Sequence, residues 1–125
     1  MNRNSRYAFY GSMRKGLENY SLYQRDLVFL ETVELSGFKM YSLVDYPYVI
    51  RTGNLADKIV VDLFAITDPE TERIIHNMEL GAGYIFSEVE IADIKFGIYL
   101  FERANTDNIE VSRGDWSVLR KLSGF

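Results

Sequence analysis

The sequence predicts an α+β domain: a small mixed sheet, closed or nearly closed into a β-barrel, with helices on its flanks. Three observations carry that expectation. Strand-like runs dominate the second half of the chain. One helix is bounded clearly by Asp68-Pro69, and only one other stretch reads as helix. The elements do not alternate strand with helix as a doubly wound fold requires.

Taken in order, Tyr7-Ala8-Phe9-Tyr10 is short, apolar and aromatic, as a buried strand is, and Gly11-Ser12 ends it. Leu17, Tyr20, Leu27 and Leu30 have partial three-to-four spacing, which predicts a helix from near Leu17 to near Phe29. Val33 to Leu43 reads as strand interrupted at Gly37. Pro47-Tyr48-Val49-Ile50 predicts a short strand that its proline confines to a sheet edge. Ile59 to Ile66 is apolar on both faces apart from Asp62, which predicts a central strand. Asp68 then caps a helix, Pro69 fills the first turn where its missing N–H costs nothing, and Glu70 and Glu72 suit the positive end. That helix is expected to reach Glu79 or Leu80 and to stop at Gly81. Tyr84 to Ala92 and Phe96 to Arg103 read as a hairpin, with Val89 and Ile91 alternating against Glu88 and Glu90. Trp116 reads as a core or closing residue, and the tail ends in Phe125.

A chain of 125 residues is one domain's worth, expected to run from about residue 6 to residue 125. Leu, Ile, Val and Phe together lie well above the roughly 20% below which disorder is the default. Cysteine is absent, which removes disulfides, thiol nucleophiles and Cys-ligated zinc, and fits a cytoplasmic location. No apolar run is long enough to span a membrane, and the polar stretch Met1 to Arg6 argues against a cleavable signal peptide. The net charge of −4 repels a phosphate backbone, so no nucleic-acid partner is expected. Arg3, Arg6, Arg14 and Lys15 read as a mixed solvated surface. The lone His76 excludes His-pair metal motifs and a Ser-His-Asp triad. Acid–base chemistry therefore falls to a carboxylate, a Tyr or a Lys, and no metal or cofactor is expected.

Tyr10-Gly11-Ser12-Met13-Arg14 is the first candidate site. A strand ending at a glycine, just before a helix, can gather backbone N–H groups around a carboxylate or phosphate, and Gly11 would let a ligand approach the main chain. An ordinary tight turn accounts for the same string. Glu79 is the second candidate. It shares a helix face with Ile75 and adjoins an apolar stripe of Ile74 and Met78. Dehydration and the negative helix end would both raise its pKa toward what acid–base catalysis needs. Spacing alone equally describes a boundary glutamate that reaches into water. Glu70 and Glu72 need no role beyond favouring the helix start. Asp62 either faces solvent at one end of the sheet or hydrogen-bonds a neighbouring loop. Tyr41, Tyr84 and Tyr99 are candidates to line a pocket.

These pieces in this order are similar to the gamma-glutamylcyclotransferase-like family. The resemblance rests on Phe9-Tyr10-Gly11-Ser12-Met13-Arg14 with Asn19, on Tyr46-Pro47-Tyr48, and on the strand Ile59 to Ile66. It continues through Met78-Glu79, Gly83-Tyr84 with Val89 and Ile91, and Gly97-Ile98-Tyr99. It implies a small mixed β-barrel with flanking helices and release of 5-oxoproline from a small gamma-glutamyl compound. It further implies that Tyr10, Gly11, Ser12 and Met13 hold the substrate's α-carboxylate and amino end, with Tyr84 beside them. Glu79 would serve as general base and then general acid. Three departures stand out: Leu80 intervenes between Glu79 and Gly81, Val61-Asp62-Leu63 replaces a common Gly-Glu pair, and Met13 replaces Leu. A non-catalytic module binding a small anion or gamma-glutamyl group is the alternative reading, and a purely structural domain is a third. The sequence does not choose among free dipeptides, gamma-glutamylamines and capped antibiotic precursors as donors, and carries no sign of oligomeric state.

Overall fold

The computed structural model describes residues 4–117. Phe125 and the two chain ends lie outside them. The strands are β1 (Arg6–Phe9), β2 (Leu27–Ser36), β3 (Phe38–Ser42), β4 (Pro47–Arg51), β5 (Lys58–Ile66), β6 (Ile85–Ile91), β7 (Ile94–Leu100) and β8 (Ile109–Glu110). The helices are α1 (Glu18–Tyr23) and α2 (Pro69–Gly81). They assemble into a five-stranded sheet of order β2-β5-β1-β7-β6 and a three-stranded sheet of order β4-β3-β8. Most neighbours are antiparallel, but β1 and β7 run parallel, with Tyr7 opposite Gly97, so the larger sheet is mixed as expected.

The strands form two sheets, and no closed ring of strands is found among the described residues. Gly37, at φ +91°, turns the chain out of β2 and into β3 of the other sheet. This left-handed conformation suits glycine. The sheets meet again where the Phe101 amide donates to the Val49 carbonyl at 2.9 Å. The result is barrel-like without a continuous ladder.

The predicted helix over residues 17–29 is largely replaced. Only Glu18–Tyr23 is α-helical, a 3-10 turn follows at Gln24–Asp26, and β2 begins at Leu27. Leu27, Val28 and Phe29 pair with Ile66, Ala65 and Phe64 of β5, so the ladder satisfies backbone groups that a helix would otherwise have paired. The other elements lie near their expected places. β5 is flanked by β2 and β1, β4 is an edge strand, and β6 and β7 form a hairpin through Ala92 and Asp93, both at positive φ. The short β8 carried no signal in the sequence.

One core joins both sheets and α2, with Tyr7, Tyr48, Phe64, Ile75, Ile98 and Trp116 almost fully buried. Each such side chain contributes on the order of 1.5–3 kcal/mol relative to exposure. Tyr7 stacks between Phe9 and Tyr99, at ring separations of 5.8 and 6.1 Å. Gly97 makes that stack possible, because a Cβ there would lie 2.7 Å from the Phe86 ring and 2.9 Å from the Tyr7 ring. Gly97→Ala is expected to destabilise the protein by about 2 kcal/mol, read as a lower urea midpoint at unchanged m-value.

Candidate active site

The loop after β1 is built by its own hydrogen bonds. The Arg14 amide donates to the Gly11 carbonyl at 3.0 Å, which closes a tight turn. The Ser12 carbonyl accepts from the amides of Asn19 and Tyr20, tying the turn to the start of α1. Asn19 Nδ2 donates to Ser12 Oγ at 2.7 Å. The amides of Gly11, Ser12 and Met13 donate to no group among the described residues. Consecutive N–H groups left open in this way can receive an anion where they converge. A Cβ at position 11 would lie a tight 3.2 Å from the Pro47 ring, so glycine lets the loop and β4 approach closely.

The opposite wall comes from α2. Asp68 caps it by accepting from the Thr71 amide at 3.1 Å, and Pro69 opens it, as the sequence predicts. Its end differs. Gly81 is still helical, and the chain turns at Gly83, at φ +98°. The Gly83 amide donates to the Leu80 carbonyl and the Tyr84 amide to the Glu79 carbonyl, a paired closure that stops the helix firmly. Leu80 and Gly81 are both part of α2, and Glu79 lies in its last turn.

Glu79 lies on the face of α2 that also carries Glu72, Ile75 and His76. The stripe of Ile74 and Met78 is more exposed than expected, at 41% and 37%. The Glu79 side chain is partly buried, and no described residue hydrogen-bonds or ion-pairs with its carboxylate. Dehydration alone pushes its pKa from 4.5 up to about 7.

Glu79 and the loop residues Tyr10, Gly11, Ser12 and Met13 line one cavity of about 370 Å³, with Tyr84 and Tyr99 completing the wall. Tyr10 donates its hydroxyl to the Tyr99 carbonyl and Tyr84 donates to the Pro47 carbonyl, each at 2.5 Å. Burial pushes all three phenols well above their usual pKa, with the Glu79 charge adding to it, so they stay protonated near neutrality. Tyr10 and Tyr84 therefore shape the cavity while their hydroxyls are engaged elsewhere. Tyr41 is not part of this wall and stacks on Tyr48. Among the described residues no cluster of His, Asp and Glu is arranged to hold a metal ion. Among the described residues no helix is long and apolar enough to cross a membrane.

Two polar clusters behind the cavity went unread in the sequence. Glu72 is buried and accepts from Ser5 Oγ at 2.9 Å and from the Tyr7 hydroxyl, which corrects its reading as a mere helix-start residue. One turn on, His76 Nδ1 shares a 2.8 Å hydrogen bond with the Tyr99 hydroxyl, and burial lowers the imidazole pKa. These contacts seat α2 on β1 and β7. Arg14 is likewise buried rather than solvated, with Nη1 2.6 Å from Asp115 Oδ1 and Nε 3.3 Å from Asp62 Oδ2. Asp62 does hydrogen-bond a neighbouring loop, accepting from the Lys15 amide at 2.9 Å. Glu72 recurs with Ile75 and Glu79 on one helix face, the only sequence signal that pointed to its burial.

The architecture is that of a small two-sheet α+β protein with one cleft between its first loop and its long helix. A family model described as gamma-glutamyl cyclotransferase, AIG2-like, matches residues 7–118, and the chain belongs to that family. Its fold is similar to that of the uncharacterised protein PH0828 from Pyrococcus horikoshii, at 26% identity, TM-score 0.78 and 95% coverage of both chains. It is also similar to protein ytfP from Escherichia coli, at 22% identity and TM-score 0.70, covering 89% of this chain and 95% of that one. The uropathogenic E. coli protein c4763 matches at 21% identity and TM-score 0.70, covering 96% of this chain and 95% of that one. The two last likenesses concern the fold alone. A comparison with curated proteins returns no match.

The raised pKa of Glu79 is also a statement about stability. Between pH 4.5 and about 7 the folded state keeps a proton that the unfolded chain has released, so stability falls as pH rises through this window. Solvent at the cavity mouth screens part of the effect. At about pH 8, Glu79→Gln is expected to be more stable than the wild type by on the order of 2 kcal/mol. Urea midpoints of the two proteins should converge as the pH is lowered toward 4.5.

Proposed function

We propose that this protein is a cyclotransferase that releases 5-oxoproline from a gamma-glutamyl compound, with Glu79 as general base and then general acid. The observation that carries this reading is the shared cavity: an unpartnered, partly dehydrated carboxylate and three unpaired main-chain donors line the same space. Membership of the family supports the same class of reaction.

The substrate's α-carboxylate binds the amides of Gly11, Ser12 and Met13. Ionised Glu79 removes one proton from the α-ammonium. The freed nitrogen attacks the γ-carbonyl carbon of the same molecule and forms the ring C–N bond. The bond from that carbon to the leaving nitrogen breaks, and protonated Glu79 gives its proton to the departing amine. The ring nitrogen gives up its second proton as well, which leaves on the departing amine as an ammonium group, so the products are the lactam and a protonated amine, and Glu79 returns ionised. A carboxyl with pKa about 7 is present in both forms near neutrality, as a group that takes and returns a proton must be. Much of the acceleration is geometric, because the cavity folds a flexible chain into a conformation ready for ring closure.

Glu79→Gln is expected to lower 5-oxoproline formation by about a thousandfold while the domain stays folded. In the wild type, kcat/KM should fall on the acid side with a midpoint near 7, because the free enzyme needs Glu79 ionised. A gamma-glutamyl dipeptide and a gamma-glutamylamine, assayed side by side for released 5-oxoproline, cover two donor classes. Retained turnover in Glu79→Gln removes that residue from the mechanism.

A further inference from the structure

We propose that Asp62 is a positioning residue: it grips both ends of the Tyr10–Met13 loop and thereby places the amides that receive the substrate carboxylate. The placement of substrate rests on the cyclotransferase reading above; the grip on the loop does not.

The register of the sheet supplies the first hold. Asp62 is the antiparallel partner of Phe9, the last residue of β1, so the main chain of position 62 lies beside the point where the loop departs. The side chain supplies the second. Asp62 Oδ2 accepts from the amide of Lys15, where the loop has just turned back, at 2.9 Å. One residue thus holds the chain on either side of Gly11, Ser12 and Met13. The carboxylate is itself fixed, because its other oxygen accepts from Thr32 Oγ1 at 2.7 Å on the adjoining strand β2.

Packing does not call for an acid here. Asp62 is 3% exposed within the otherwise apolar run from Ile59 to Ile66, where an aliphatic side chain would be favourable. Burying a carboxylate needs compensation, and the Arg14 guanidinium gives it at 3.3 Å. That contact lacks hydrogen-bond alignment, since Arg14 Nε has no hydrogen-bond partner. Arg14 directs Nη1 instead to Asp115 at 2.6 Å and Ser117 at 3.4 Å. The best-formed bonds of Asp62 therefore run to the loop amide and the strand hydroxyl, with Arg14 as counter-charge. A buried ion pair kept only for stability has no need to engage a loop amide.

The test reads the loop directly. Backbone amide resonances of Gly11, Ser12, Met13 and Lys15 are compared in the wild type, Asp62→Asn and Asp115→Asn, each titrated with 5-oxoproline. Asp62→Asn is expected to move all four resonances and to weaken 5-oxoproline binding by about tenfold. Asp115→Asn removes the other carboxylate from Arg14 but leaves the grip intact, so its Gly11–Met13 resonances and affinity should stay near wild type. Unmoved Gly11–Met13 amides in Asp62→Asn, or an Asp115→Asn variant that behaves like Asp62→Asn, would overturn the proposal. If Asp62→Asn does not fold, Thr32→Val, which frees only Oδ1, is expected to move the same loop amides by less, and unmoved amides there sink the idea. Loop amides that respond to Asp62→Asn in a protein that forms no 5-oxoproline support the positioning role and count only against cyclisation.

Discussion

Taking a carboxylate partly out of water without giving it a counter-ion costs free energy, and this molecule accepts that cost at Glu79. Its other buried acids are treated differently. Asp62 has Arg14, a loop amide and a threonine hydroxyl around it. Glu72 receives two hydroxyls. Glu79 faces a cavity with no partner at all among the described residues. Unsatisfied groups of this kind persist where surrounding structure holds them in place, and they mark the positions where a ligand can supply what the protein withholds.

Three anchors hold Glu79 there. At the start of α2, Asp68 caps the helix and Glu72 ties it to β1 through Ser5 and Tyr7. At its end, the Gly83 turn closes the last carbonyls, and His76 joins Tyr99 of β7 midway. The facing wall is equally constrained, because Tyr10 and Tyr84 spend their hydroxyls on carbonyls of β7 and β4. The Tyr84 phenol reaches β4 of the smaller sheet, and the Tyr10 phenol ties the first loop to β7 within the larger one.

What was legible in the sequence was local. Asp68-Pro69 announces a helix because capping is read within four residues, and the apolar block from Ile59 to Ile66 announces an interior strand because both its faces must be buried. Leu27 to Leu30 misled because four consecutive apolar residues satisfy a helical and a strand period alike, and only the distant β5 decides between them. Arg14 and Glu72 were misread for the same reason: their partners are far off in the chain, Asp115 for the first and Tyr7 for the second. The cleft itself was partly legible, since its two walls carry recognisable strings. The support behind those walls was not, because long-range hydrogen bonds leave no periodic trace.

The parallel pairing of β1 with β7 has a consequence for biosynthesis. Tyr7 finds its partner at Gly97, and Glu72 reaches back to Ser5 and Tyr7. A nascent chain can pair its aromatic first strand with β5 at mid-length, but the strand's other edge stays open until β7 has left the ribosome. Closing such wide loops is slow, and the exposed segment is open to chaperones and to misassociation in the meantime. The wall of the cleft is complete only once Tyr99 has joined it.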